Sequence, residues 1–273
     1  MKTGQKICKY AVLIFFALLI LFPVYMVLTG SFKTEFELYD NVFGLPQKLQ
    51  WGNYARAFVE GNLNKYYVNS LIVTLTSIVL ILALSSMTAF ALTRLKLRLN
   101  KAIYLLFVIG IAVPTQVGIV PLAVQMSRMH LTNSLLGLIC VYVAYELPFS
   151  VFIFYGFMQS IPMELQEAAI IDGCSSFRVY WHVIMPLCRG SIATVAIFNL
   201  VGIWNDMLFP LMLISKESLR TLPYGLLQFR RQYASQNTVI FAGVILITLP
   251  LVVLYLCMQK QFMKGLTQGA VKG

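Results

Sequence analysis

The sequence predicts an all-α integral membrane protein with six transmembrane helices. Of its 273 residues, 59% are hydrophobic and only 11% are charged, and the mean hydropathy is +0.78. The chain therefore lacks the polar residues that a water-soluble globule needs at its surface. Its solid apolar runs lack the alternation of barrel strands, so they indicate helices, which satisfy their own backbone in hydrocarbon. Disordered, fibrous and secreted proteins are excluded.

Six apolar segments are long enough to cross a bilayer, for which about 20 residues suffice. Four of the underlying runs carry no charged residue, and two carry one acid each. The predicted spans are residues 9–30, 67–92, 102–124, 135–158, 190–214 and 238–260. The chain then consists of an N-terminus, 1–8, a six-helix transmembrane domain, 9–260, and a C-terminal tail, 261–273.

Basic residues set the predicted orientation. The connection after the second span carries Arg94, Lys96, Arg98 and Lys101. The connection after the third span carries only Arg128, and cytoplasmic loops are enriched in Lys and Arg, so the former connection is predicted to be cytoplasmic. Six spans then place both termini in the cytoplasm and make segments 31–66 and 215–237 extracellular. The net charge of +11 thus indicates topology and not a nucleic-acid partner.

The cytoplasmic segment 159–189, here called the hairpin segment, predicts two short amphipathic helices separated by a turn. Pro162 suits a first helical position, and Pro186 should break the second helix. Gly173 lies between the helices, where it can take the left-handed conformation that ends a helix. The apolar stripe consists of Ile161, Leu165, Ala168 and Ala169 in the first helix and Phe177, Tyr180, Trp181 and Ile184 in the second.

No pattern in the sequence is typical of an enzyme. Phosphate-loop, zinc-protease and serine-hydrolase motifs are missing, and the two histidines, His130 and His182, fall on opposite faces of the predicted membrane. The five cysteines form no C-x-x-C pair, so neither disulfides nor a metal site is indicated. We therefore expect a subunit with no catalytic residue, no metal and no cofactor of its own.

The strongest local pattern consists of Glu167, Ala168, Ala169, Asp172, Gly173 and Pro186. Small side chains at Ala168 and Ala169 let another protein approach closely, and Glu167 offers a charge to a basic partner. A hairpin lying on the membrane interface is the alternative that amphipathicity alone allows. Composite spacing over twenty residues favours docking over this alternative.

This pattern resembles the E-A-A-x(3)-G-x(9)-I-x-L-P loop of ABC importer permeases, with Val183 and Met185 in place of Ile and Leu. Other segments look like carbohydrate-importer permeases of the maltose-system type. These are Asn69–Leu71, Thr88–Ala91, Pro114–Gln116, Pro121–Leu122, Ile161–Pro162, Trp204–Asp206, Phe209–Pro210 and the ending Gly265–Gly273. Cys174 and Glu146 depart from the family pattern, and Glu146 leaves the exact substrate open.

The resemblance implies a type I ABC importer permease fold in a bacterial cell membrane, with import by alternating access. It implies a second permease that completes a heterodimer, two cytoplasmic ATPase subunits that hold ATP and Mg²⁺, an extracellular solute-binding protein and a carbohydrate substrate. The six residues from Glu167 to Pro186 would couple the chain to the ATPase. The tail would contact the ATPase pair at Gly265, Gly269, Lys272 and Gly273.

Two acids, Glu146 and Asp206, lie inside predicted spans, where a carboxylate is costly unless it is solvated or paired. They are predicted to line one polar cavity. The alternative is structural, with Asp206 capping backbone and Glu146 accepting a hydrogen bond between helices. Sugars are recognised by hydrogen bonds and ring stacking. Further pathway candidates are Tyr142, Tyr145, Trp204 and Asn205.

Two rival functions remain open on the sequence. A secondary transporter would use Glu146 or Asp206 as a proton site, although the internal repeats of many such transporters are not visible. An ABC permease for a non-sugar solute, such as a polyol phosphate, fits the same motifs. The preferred prediction is a sugar permease without an ATPase of its own.

Overall fold

The computed structural model describes residues 3–95, 98–233 and 235–270, so that Lys96, Lys272 and Gly273 lie outside the described residues. The described part of the chain is helical and contains no strand, which confirms the all-α class. The first helices are α1 (Thr3–Gly30), α2 (Glu35–Asp40), α3 (Gly52–Ala55, followed by a π-turn over Arg56–Glu60), α4 (Leu63–Arg94), α5 (Asn100–Ile111), α6 (Thr115–Arg128) and α7 (Leu135–Gln159). They are followed by α8 (Glu164–Ile171), α9 (Ser176–Val179, with a π-turn over Tyr180–Ile184), α10 (Met185–Leu187), α11 (Arg189–Asn205), α12 (Leu208–Leu213), a 3₁₀ turn (Glu217–Leu219), α13 (Leu222–Gln232) and α14 (Asn237–Ala270).

Among the described residues, three helices are individually long and apolar enough to cross a membrane: α1 from Cys8 to Gly30, α4 and α7. Two helix pairs reach that length only together, namely α5 with α6, bent by 101°, and the stretch Ser176–Leu187 with α11, bent by 77°. The apolar stretch Asn237–Val253 of α14 is shorter. The span predicted at 102–124 is therefore a broken helix, and the span predicted at 190–214 is interrupted between α11 and α12. The 77° bend at Cys188 lies just before the second of these spans.

Each break has a local cause. Pro114 adopts extended backbone (φ −64°, ψ 131°) directly before α6, and proline disfavours helix at the preceding residue. Asp206 is also extended (φ −69°, ψ 129°), so α11 ends at Asn205 and α12 starts anew. Irregular backbone at membrane depth is tolerated where it is buried in protein or lines a polar cavity. The two breaks are therefore candidate functional positions.

The chain divides into two compact units, residues 1–66 with 222–252 and residues 67–221 with 253–273. The core of the second unit is formed mainly by α4, α7, α11 and the hairpin segment, and its fully buried side chains include Ile81, Phe154 and Ile184. Small polar residues of α4 are buried with them; the Ser86 hydroxyl lies 2.7 Å from the Tyr180 hydroxyl. Such residues let membrane helices approach closely.

The first unit holds α1, whose most apolar window has no residue that the described part of the chain buries. Its side chains therefore face lipid or another subunit. Helix α14 continues without interruption to Ala270, so the predicted boundary at residue 260 between span and tail is not a backbone break. Gly265 and Gly269 lie on this helix.

Candidate functional site

The hairpin segment contains the two helices that the sequence predicts, with shifted ends. The first, α8, begins at Glu164, two residues after Pro162. Pro186 lies inside the last helical turn instead of ending the second helix, because a π-turn precedes it and the Met185 N–H donates to the Tyr180 carbonyl. The chain bends only after Leu187.

The turn between the two helices is a left-handed glycine turn, which confirms the predicted conformation of Gly173. Its φ is +82°. The Gly173 N–H donates to the Ile170 carbonyl at 3.0 Å and the Cys174 N–H to the Ala169 carbonyl at 2.9 Å, the paired bonds of a Schellman motif. No atom lies within 4 Å of a Cβ added at Gly173, so backbone conformation alone restricts this position.

The predicted apolar stripe of the hairpin segment divides between the core and the surface. Ala169, Tyr180 and Ile184 are buried, whereas Leu165, Ala168, Phe177 and Trp181 are exposed. Ile171 is 86% exposed and Phe177 is 64% exposed. Glu167 is exposed beside them, and it forms no ion pair within the described part of the chain. The hairpin segment thus presents an apolar surface beside Glu164 and Glu167, the two exposed acids of α8.

Arg94, at the end of α4, holds the start of the hairpin segment in place. Its side chain is buried, and its Nη2 donates to the Met158 carbonyl and, at 2.8 Å, to the Ile161 carbonyl. Its Nη1 lies 2.8 Å from the Met163 sulfur. These contacts cap the end of α7 and tie α4 directly to the residues that lead into α8. The sequence indicated only the charge of Arg94.

The second candidate site lies where the two broken spans meet α7. Tyr142 on α7 donates a hydrogen bond of 2.8 Å to Asp206 Oδ2, at the break between α11 and α12. Tyr145, on the same helix, donates at 3.2 Å to the carbonyl of Thr115, at the break between α5 and α6. The Phe209 ring lies 5.6 Å from the Tyr142 ring and 5.1 Å from the Tyr145 ring. Tyr142, Tyr145, Asp206 and Phe209 therefore form one cluster.

Asp206 has the capping role that the sequence left as an alternative. Its Oδ1 accepts from the Leu208 N–H at 3.0 Å and its Oδ2 from the Phe209 N–H at 3.1 Å. This pattern is that of an N-cap on α12. The same carboxylate also receives the Tyr142 hydroxyl, so it joins α12 to α7.

Glu146 lies one helical turn after Tyr142 on α7 and is half-buried. A methyl group added at Gly202 would lie 3.7 Å from its Oε1. Within the described residues, no hydrogen bond to its carboxylate is found, in contrast to Asp206. The carboxylate is therefore available to a polar ligand or water.

The remaining two pathway candidates are placed differently. Trp204 is buried, with its ring 6.3 Å from that of Tyr67, so it cannot stack on a sugar in this conformation. The Asn205 side chain is exposed but donates to the Val201 carbonyl of its own helix at 2.9 Å. Phe209 was not singled out as a pathway residue, although the Phe-Pro pair that begins five residues after Trp204 was visible in the sequence. No group of three or more metal-ligating side chains occurs among the described residues.

Replacing Asp206 should disturb this site more than replacing its partner. Asp206→Ala removes the cap of α12, which typically costs about 0.5–2 kcal/mol, together with the bond from Tyr142. Tyr142→Phe removes only the latter bond. The midpoint temperature of thermal unfolding, measured on the detergent-purified protein, should therefore fall further for Asp206→Ala than for Tyr142→Phe. Equal shifts for the two variants would contradict a capping role.

The hairpin segment and the α7 cluster lie within a region that matches a protein family. A family profile described as "Binding-protein-dependent transport system inner membrane component" matches residues 81–268. This match covers more than half of the chain and includes every candidate site residue except Gly269, Lys272 and Gly273.

Two curated relatives and one solved structure are similar along nearly the whole chain. A probable starch degradation products transport system permease protein of Thermoanaerobacterium thermosulfurigenes is 39% identical, over 94% of this chain and 93% of that protein. A diacetylchitobiose uptake system permease protein of Streptomyces coelicolor is 33% identical, over 97% of this chain and 88% of that protein. The crystal structure of a bacterial ABC transporter involved in import of the acidic polysaccharide alginate contains a chain with the same fold, at a TM-score of 0.85, 20% identity and coverage of 96% and 98%.

Proposed function

The chain belongs to the family of binding-protein-dependent transport system inner membrane components, and we propose that it is the permease subunit of an ATP-driven importer for a sugar or an oligosaccharide. It forms half of the translocation pathway and pairs with a second permease. The ATPase site, with its ATP and Mg²⁺, is on separate subunits. The membrane is a bacterial cell membrane, and both termini are on the side of the ATPase.

The hairpin segment is the observation that carries this proposal. It combines an exposed apolar surface with an exposed acid, Glu167, and a stiff left-handed turn at Gly173. Exposed large apolar side chains outside the hydrocarbon need a partner surface, because leaving them in water is unfavourable. A cytoplasmic ATPase supplies such a surface, and Arg94 passes the movement of the docked segment to α4.

The cluster of Tyr142, Tyr145, Asp206 and Phe209, with Glu146 next to it on α7, favours a hydroxyl-rich substrate. The partly exposed ring of Tyr145 offers a stacking surface, and the carboxylate of Glu146, which has no hydrogen-bond partner among the described residues, offers an acceptor of the kind that sugars use. Tyr142 is buried and bonded to Asp206, so its part is to hold Asp206 beside them. The two relatives carry saccharide substrates in their names, starch degradation products and diacetylchitobiose. We infer that this chain transports a saccharide of a similar class.

Purification of the chain from its native membrane, with identification of the attached proteins, tests the assembly. The proposal expects one further permease, an ATPase in two copies and, when sugar is present, a solute-binding protein. Recovery of the chain as a homo-oligomer without any ATPase would contradict it.

Reversal of the charge at Glu167 should weaken docking of the ATPase. Losing a hydrogen-bonded charge pair at an interface costs about 2–5 kcal/mol, so Glu167→Lys should lower complex yield, ATPase stimulation and uptake together. Glu164→Lys is the matched control, because both residues lie exposed in the first turn of α8 and share the same effect on the helix dipole. Equal behaviour of the two variants would show that Glu167 makes no specific contact.

The C-terminal tail is proposed to contact the ATPase pair through Gly265, Gly269, Lys272 and Gly273. Terminal segments are usually dispensable unless they dock on something. Deletion of residues 266–273 should therefore lower transport-coupled ATP hydrolysis, while a scrambled tail of equal length controls for chain length. Unaltered hydrolysis after deletion would leave the tail without this function.

A further inference from the structure

The turn after α2, residues 41–45, folds back along α1 instead of extending away from it. The Tyr25 hydroxyl donates to the Phe43 carbonyl at 2.8 Å, and the Phe43 ring lies 5.8 Å from the Phe22 ring. The two residues of α1 that the turn contacts, Tyr25 and Phe22, precede the last residue of the helix, Gly30. At a rise of 1.5 Å per residue they lie roughly 8 Å and 12 Å below the end of the helix.

The depth of these contacts follows from the length of α1. Its apolar part, Cys8–Gly30, has 23 residues. That length corresponds to about 34 Å of helix, slightly more than the ~30 Å of hydrocarbon in a bilayer. Tyr25 then lies close to the interface, where tyrosine is favoured, and the Phe22 ring lies in hydrocarbon. The Phe43 ring, packed on Phe22, reaches the same depth.

Side chains bond three carbonyls and one N–H group of this turn. Lys33 is fully buried, and its Nζ donates to the Asn41 carbonyl at 2.7 Å and the Val42 carbonyl at 3.3 Å. Asn41 Oδ1 accepts from the Gly44 N–H at 2.8 Å, and Tyr25 caps the carbonyl of Phe43. These internal bonds lower the cost of bringing non-helical backbone close to hydrocarbon, where an unbonded polar group is unfavourable.

The side chains that point away from this internal network are apolar. Phe43 is 61% exposed and Leu45 is 73% exposed, and residues 41–47 contain no charged side chain. Full burial of such a side chain is worth about 1.5–3 kcal/mol relative to water. The exposed surface of the turn also continues directly into the apolar surface of α1, which the chain itself does not cover.

We propose that residues 41–45 form a lipid wedge, which inserts Phe43 and Leu45 into the leaflet at the C-terminal end of α1. The occupant of this surface is acyl chain, and the buried Lys33 is the residue that lets the turn enter the leaflet. In the orientation proposed above this is the outer leaflet. The inference needs α1 to span the membrane and is independent of the transported solute.

Depth measurements by spin labelling test the wedge. Single cysteines at positions 43 and 45, and at the exposed Lys48 as a control, are labelled in the whole complex in phosphatidylcholine liposomes, with the native cysteines replaced. Labels at 43 and 45 should collide severalfold more with oxygen, which concentrates in lipid, than with a water-soluble nickel chelate, and the label at 48 should show the reverse. The label at 45 leaves Phe43 intact, so it decides the question even if the substitution at 43 impairs folding.

Two results would overturn the proposal. Strong chelate access at both 43 and 45 would place the turn in water, and low access to both reagents would place it under another subunit. Lys33→Met should raise chelate access at 45, because two carbonyls lose their donor, whereas Lys48→Met should leave it unchanged. Unchanged chelate access in both variants would show that Lys33 is not the residue that lets the turn enter the leaflet.

Discussion

Replacement of Gly173 by valine should abolish most sugar uptake while the protein still inserts into the membrane. The φ of +82° costs an L-residue about 1–2 kcal/mol, and a β-branched side chain is a marked outlier there. A cost of that size shifts an equilibrium by roughly 5- to 30-fold, so the turn with its paired bonds from Gly173 and Cys174 should become less populated, relative to an open turn, by that factor. Uptake and binding-protein-stimulated ATP hydrolysis measure the effect.

Gly173→Asn is the matched control, because asparagine tolerates left-handed backbone and no atom lies within 4 Å of the added Cβ. The asparagine variant should retain most of its uptake. If the valine variant transports normally, or if both variants fail alike, then the left-handed turn is not what couples the hairpin segment to its partner.

Replacement of Arg94 by methionine should have the second largest effect. The change removes a charged donor from the Met158 and Ile161 carbonyls, and each such hydrogen bond is worth about 1.5–3 kcal/mol. The hairpin segment should then move independently of α4. We expect ATP hydrolysis to continue while uptake per ATP falls, a ratio that a loss of folded protein alone would not change.

Arg98→Met is the control for Arg94→Met, because it removes the same charge from the same connection at an exposed position. Arg94→Lys should give partial loss, since an ammonium lacks the planar fork that reaches several acceptors at once. An unchanged ratio of uptake to ATP hydrolysis in Arg94→Met, or an equal change in Arg98→Met, would contradict the role assigned to Arg94.

The family and the all-α class were predictable from the sequence because they rest on composition and on spaced motifs. The turn at Gly173 was predictable for the same reason, since few residues other than glycine adopt that backbone. The breaks in two spans were not. One falls at Asp206, where no proline stands, and the proline that marks the other, Pro114, has counterparts inside continuous helices, at Pro23 in α1 and Pro148 in α7. Tertiary packing decides which prolines interrupt a helix.

The contacts of individual side chains were harder to predict. Asp206 and Trp204 share one short motif, yet the structure uses Asp206 as a helix cap and buries Trp204. Arg94 appeared as one of several topology charges, and nothing in its local sequence indicated that it reaches carbonyls beyond residue 150. Such contacts depend on residues distant in sequence, which periodicity does not report.

Transport by the purified complex in liposomes tests the source of energy most directly. The account predicts that labelled sugar accumulates only with the solute-binding protein outside and ATP on the ATPase side, and that a pH gradient alone drives none. Glu146→Gln should change sugar affinity by a modest factor while uptake stays ATP-dependent, because we propose that the carboxylate lines the pathway and does not carry a coupling proton. Sugar accumulation driven by a pH gradient in liposomes without any ATPase subunit, and lost in Glu146→Gln, would contradict the importer assignment.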